Sequence, residues 1–110
     1  MSKKKHKILF SLNLKKRPYQ VMVAGSFNHW SCVSHPLRLS PSGAWETMIP
    51  LAPGLYKYRF LIDNSVWMLD PSADTIFNEF GGTESLLVVE PEELKSVQEN
   101  KFVEQLEQYA

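Results

Sequence analysis

The sequence predicts an antiparallel β-sandwich, and three observations carry that prediction. Short runs alternate apolar and polar residues at a period of two. Gly, Pro, Asn and Ser punctuate the runs every several residues. No helical pattern is interleaved among them before Pro91, which excludes a parallel α/β arrangement. At 110 residues, 44% hydrophobic and 22% charged, the chain is long enough for one compact domain and too short for two.

The first strand spans Lys7 to Leu14, where Ile8, Phe10, Leu12 and Leu14 hold the even positions and Leu9 is the one apolar residue on the other face. Lys15, Lys16, Arg17 and Pro18 interrupt, and Gln20 to Ala24 forms a second strand that Gly25 ends. Pro36 to Leu39 is a short third strand closed by the turn residues Ser40, Pro41, Ser42 and Gly43. In the fourth, Trp45, Thr47 and Ile49 alternate with Ala44, Glu46 and Met48, which assigns Trp45 to the core. Pro50, then Pro53 with Gly54, turn the chain into the most regular strand, with Tyr56, Tyr58, Phe60 and Ile62 on one face and Leu55, Lys57, Arg59 and Leu61 on the other. Asp63, Asn64 and Ser65 make a tight connection to a sixth strand, Val66 to Leu69, which Asp70-Pro71 terminates. A loop from Ser72 to Gly82 leads to the seventh strand, Glu84 to Glu90, whose apolar run Leu86 to Val89 suits burial.

After Pro91, Gly and Pro vanish and Glu, Lys, Gln and Leu dominate. Leu94, Val97, Phe102, Leu106 and Tyr109 fall within a broad arc of a helical wheel, so 91–110 reads as an amphipathic C-terminal helix. It either docks on its own domain or binds a partner, a second copy of the chain included. The organisation expected is a basic arm at 1–6, a sandwich at 7–90 and a helix at 91–110.

Twelve basic and twelve acidic side chains cancel, so the global field that draws polyanions is absent and nucleic acid is disfavoured. The charges are nevertheless sorted, with lysines crowding the start and glutamates the end. No apolar stretch has the length of a membrane span or the layout of a secretory signal, and one cysteine, Cys32, allows no intrachain disulfide. A reduced, cytoplasmic setting is the expectation. His6, His29 and His35 lack the spacing that puts two imidazoles on one metal, and Cys32 has no third group to sustain a thiolate. Asp63, Asp70 and Asp74 read as loop residues bonding nearby amides rather than as a glycosidase pair. Neither catalysis, nor a metal, nor a cofactor is expected.

Tryptophan among polar loop residues is the unusual feature. Trp30 follows Gly25 to His29, and Trp67 lies in the hairpin after Asp63. An indole left wet is costly, and its face can lie against the C–H face of a pyranose while a nearby guanidinium or carboxylate bonds the hydroxyls. Each buried sugar face is worth ~1.5 to 3 kcal/mol by area, before association entropy is subtracted. From spacing alone, each ring reads equally as such a platform or as a cap on the core. As a platform, the two rings would stand open at one end of the sandwich.

Val21 to Trp30, Gly43-Ala44-Trp45-Glu46, Leu51 to Asp63, Trp67 with Asp70-Pro71, and Phe80-Gly81-Gly82 together resemble carbohydrate-binding module family 48, the isoamylase N-terminal or early-set domain. The likeness covers roughly Lys7 to Glu90. It implies an immunoglobulin-like sandwich and a non-catalytic module for an α-1,4-linked glucan such as glycogen or starch. The family includes domains beside the barrels of branching and debranching enzymes, the glycogen-binding domain of the AMP-activated protein kinase β subunit, and short free-standing bacterial proteins, which this chain resembles most. By resemblance, Trp30 and Trp67 are the stacking rings, Arg59 bonds sugar hydroxyls, and Phe80 pushes into the hollow of the glucan. Glu84 departs from the family's usual asparagine, since a carboxylate only accepts, and it can pair with Arg59 instead. Asn64-Ser65-Val66 also departs, standing where a glycine turn one residue shorter is common. These departures leave an alternative: an early-set module without glycan binding, which docks a carbohydrate-active enzyme or pairs with itself through 91–110.

Overall fold

The computed structural model describes residues 4–91, and the helix expected at 91–110 lies almost wholly outside them. Among the described residues eight strands form two antiparallel sheets. In chain order they are β1 (His6–Leu12), β2 (Val21–Gly25), β3 (Arg38–Leu39), β4 (Trp45–Leu51), β5 (Gly54–Ile62), β6 (Val66–Met68), β7 (Asp74–Phe77) and β8 (Thr83–Val89). One sheet runs β1-β4-β3. The other runs β2-β5-β8-β7, with β6 also paired to β5.

The predicted alternation decides which side chains meet between the sheets. Phe10, Leu12, Trp45, Ile49 and Leu51 from the smaller sheet pack against Val21, Val23, Tyr58, Phe60 and Val89 from the larger. Phe10 meets Tyr58 edge-on with ring centroids 5.1 Å apart, a geometry that sets the hydrogen edge of one ring on the electron-rich face of the other. Tyr58 donates its hydroxyl to Asp70 Oδ2 at 2.6 Å, and the Asp70 amide donates to Ser85 Oγ at 2.8 Å, so the polar groups buried here are partnered. Burial first, then the hydrogen bond to Asp70 and its charge, push the Tyr58 phenol far above the ordinary tyrosine range and keep it a donor.

Two expectations are corrected. The loop expected at 72–82 contains β7, because β8 has a second edge to satisfy and Thr75, Ile76 and Phe77 are strand formers. The strand expected at 36–39 is divided between the sheets: Pro36 and Leu37 pair with β2, while Arg38 and Leu39 pair with β4. Leu61, on the face opposite Tyr58 and Phe60, is nevertheless 3% exposed. It lies between Met22 and Trp67 in the register of the larger sheet, and these neighbours cover it from the outside.

Candidate functional site

β5 makes the site possible. Its inward residues Tyr58 and Phe60 face the core, so Arg59 and Leu61 face outward. Along one edge β5 pairs with β8 from Gly54 to Tyr58 and then with β6 from Phe60 to Ile62, so Arg59 stands where one neighbour gives way to the other. The same parity turns Glu84 of β8 and Trp67 of β6 outward.

Trp30 is delivered by the loop that follows β2. A Cβ on Gly25 would lie 2.5 Å from the Lys57 carbonyl oxygen and 2.8 Å from Tyr58 Cβ, so only glycine lets the chain pass this close to β5. Ser26–Asn28 then form one 3-10 turn, and the Lys57 amide donates to Ser26 Oγ at 3.1 Å. Phe27 turns inward, its ring centroid 5.3 Å from that of Phe10. Asn28 pins the loop: its Oδ1 accepts from the Gly25 amide at 3.0 Å and the Ser31 amide at 3.3 Å, and its Nδ2 donates to the Val23 carbonyl at 3.1 Å. Nδ2 also lies 2.9 Å from His35 Nδ1, which accepts when that nitrogen is unprotonated. His29 and Trp30 are both left-handed, with φ of 55° and 58°. Such a backbone costs L-residues ~1 to 2 kcal/mol each and is held here by the surrounding hydrogen bonds, the Trp30 amide to the Gly25 carbonyl at 2.8 Å among them. The result is an indole 38% exposed on a rigid mount.

Trp67 is carried by the β5–β6 hairpin. Asp63 and Asn64 supply the turn's two positive φ values, 48° and 59°, which these residues adopt more readily than most. Asp63 Oδ1 accepts from the amides of Tyr19 and Gln20 at 2.8 and 3.0 Å, tying the hairpin tip to the start of β2. Trp67 stands opposite Leu61 and is 43% exposed.

Arg59 and Glu84 meet between the two rings. Arg59 Nε donates to Glu84 Oε2 at 3.0 Å, and Arg59 Nη2 donates to the Thr83 carbonyl. Two of the five guanidinium N–H groups are thereby engaged, leaving three. The second oxygen of Glu84 accepts from Asn78 Nδ2 at 3.1 Å. Asn78 Oδ1 in turn accepts from the Phe80 and Gly82 amides at 2.9 and 3.0 Å, so it organises the turn that presents Phe80, 88% exposed.

Trp30, Arg59, Trp67 and Glu84 line one shallow depression of about 290 Å³. A second, of about 430 Å³, is lined by Trp30, Lys57, Asn78, Glu79, Phe80 and Glu84. The two share Trp30 and Glu84, so all five residues singled out in the sequence lie around one continuous patch. It occupies the outer face of the larger sheet rather than an end of the sandwich. Sequence reasoning missed Asn78 and Lys57. The signal for Asn78 was the Asn-x-x-Gly-Gly turn it opens; Lys57 needed only its parity with Arg59.

Elsewhere, the Asp63 carboxylate accepts from two backbone amides and that of Asp70 from the Ser72 amide and the Tyr58 hydroxyl, and among the described residues no three His, Cys, Asp or Glu side chains converge as a metal group would require. No helix among them is long and apolar enough to cross a membrane.

Known proteins resemble this chain over about half of its length. It is 46% identical over 59 residues to the 1,4-alpha-glucan branching enzyme GlgB of Pseudomonas syringae pv. tomato, covering 49% of this chain and 8% of the enzyme. To the GlgB of Pseudomonas fluorescens it is 46% identical over 59 residues, again 49% of this chain and 8% of the enzyme. To that of Cupriavidus pinatubonensis it is 42% identical over 62 residues, 52% of this chain and 8% of the enzyme. The chain thus matches a small fraction of each enzyme's length. A family match extends over residues 8–95, most of the chain, and that family is described as the glycogen recognition site of AMP-activated protein kinase. Two antiparallel sheets, an outward aromatic and arginine patch, and this match across nearly the whole described region together establish that the chain belongs to the family of the glycogen recognition site of AMP-activated protein kinase.

Proposed function

We propose that the chain is a non-catalytic module that binds α-1,4-linked glucan chains of the glycogen or starch type on the outer face of its larger sheet. The observation that carries this is the single depression lined by two part-exposed indoles and an arginine with three unspent donors. Pyranose rings would stack on Trp30 and Trp67 while Arg59 donates to hydroxyl oxygens, and Lys57 adds a second cation in the adjoining depression. Glu84 has both oxygens committed to Arg59 and Asn78, so its part is to aim the guanidinium and hold the Phe80 turn rather than to bond sugar strongly. Phe80 forms the far rim. Affinity in the micromolar to millimolar range follows from a few stacking contacts set against association entropy. We read the two packed sheets as the immunoglobulin-like, early-set form of sandwich.

Titrating the intrinsic tryptophan fluorescence with maltoheptaose tests the proposal. Saturable change is expected in the wild type. Trp67→Leu, which keeps an apolar cover over Leu61 and removes the stacking face, should weaken binding by tenfold or more. Wild-type protein unmoved by maltoheptaose and by glycogen would favour the alternative, a protein-docking module that has lost glycan binding.

A further inference from the structure

A second feature lies at the end of β8 opposite Glu84. A groove of about 740 Å³ runs between the start of β1 and the end of β8, lined by residues 4–8 on one side and 88–90 on the other. Its walls are strand edges. β1 pairs only with β4, and β7 reaches no farther along β8 than Leu86, so among the described residues both strands present an unpaired edge here. The lining is amphipathic: Lys5 and Lys7 stand beside Ile8 and Val88, and Val88 is 51% exposed although it is apolar. Such an edge and patch are ordinarily covered.

We propose that residues 92–110 of this same chain cover the groove, with their apolar arc on Ile8 and Val88 and their glutamates toward Lys5 and Lys7. Three facts argue for this occupant. The described chain leaves the groove's own rim at Glu90 and ends one residue later at Pro91, so the segment is tethered where it would act, at a local concentration no free partner matches. The charges are complementary, since 92–110 carries five glutamates against two lysines. The length suffices: nineteen residues span ~28 Å as a helix, against ~23 Å for a seven-residue strand such as β1 or β8. Leu94, Val97, Phe102 and Leu106 supply the apolar arc, and Glu92, Glu93 and Glu99 lie in its first half, nearest the lysines.

Zero-length carbodiimide coupling of the full chain, read by mass spectrometry, tests the proposal. Amide links are expected from Lys5 or Lys7 to glutamates at 92, 93 or 99. In a mixture of unlabelled and 15N-labelled protein they should be intramolecular. Hydrogen exchange should show 92–110 protected at least tenfold over an unstructured chain in the wild type. That protection should be lost in Val88→Asp while β5 and β4 keep theirs, a control that separates undocking from unfolding. Amides of 92–110 exchanging at the unstructured rate in the wild type would overturn the proposal. So would links of which about half, in an equal mixture, join a labelled to an unlabelled chain, the statistical share for pairing between copies, which would assign the groove to a second copy.

Discussion

Trp30 offers a test that separates binding from stability. At φ 58° the residue holds a backbone that glycine adopts freely and an L-residue adopts at ~1 to 2 kcal/mol. Its indole is 38% exposed, roughly 95 Å² of a ring system that offers up to ~250 Å². If a sugar covers half of that and loses an equal area itself, ~95 Å² leaves water, worth about 2 kcal/mol or roughly 30-fold in Kd. Trp30→Gly and Trp30→Ala should therefore lose glycan affinity alike. Trp30→Gly should be the more stable of the two by ~1 kcal/mol, a difference of about 4 to 8 °C in Tm for a domain of this size. Affinity electrophoresis in glycogen gels reads the first effect, and thermal unfolding followed by circular dichroism the second. Wild-type retention of Trp30→Gly in the gel would remove the ring from the site. A lower Tm for Trp30→Gly than for Trp30→Ala would show that the loop is not strained and that the argument from its geometry is wrong.

Arg59→Ala should weaken maltoheptaose binding and cost ~1 to 3 kcal/mol in urea unfolding, because it leaves the buried Glu84 carboxylate with Asn78 alone. Glu84→Gln keeps the shape and loses the charge, so it should cost less than Arg59→Ala and retain binding; a larger loss than Arg59→Ala would contradict the aiming role. Gly25→Ala should destabilise by 2 kcal/mol or more, since the added methyl meets backbone oxygen at 2.5 Å, and an unchanged Tm would refute the close approach. Tyr58 predicts an alkaline limit. Its phenol stays protonated in the fold well above the ordinary value of ~10, so the unfolded chain releases a proton that the folded chain keeps, and stability complete below pH ~10 falls by up to ~1.4 kcal/mol per unit above it. Tyr58→Phe should be less stable at neutral pH and show a shallower decline above pH ~10; equal slopes would exclude Tyr58 as the source.

Much of the fold was legible because a half-buried strand writes its period into the chain. Ile8, Phe10 and Leu12 in β1, and Tyr58 and Phe60 in β5, face the core as their spacing requires. Leu61 escaped that logic because the outer face of this sheet is itself covered, by Trp67 and Met22. β7 escaped because four residues are too few for a period, and its cause is the vacant edge of β8, which only the assembled sheet reveals. The candidate site divides in the same way. Gly25 to Trp30 could be read as a unit, since its chemistry is local. The Arg59–Glu84 pair, 25 residues apart, exists only through the register that sets Tyr58 against Ser85. Asn78 looks like any turn residue until its three hydrogen bonds are seen together.

The crossing at Pro36–Leu39 sets how the two layers can move. Two backbone hydrogen bonds of residues 35–37, which make the Met22–Pro36 bridge, belong to one sheet and the pairs at 38 and 39 to the other, so the layers are stitched along the margin where β2 and β3 lie. Along the opposite margin, between β1 and β8, no strand among the described residues pairs across from one sheet to the other. The body is bound like a book along its spine, and any loosening of the domain should begin at the fore-edge, leaving the page that carries the two tryptophans intact until last.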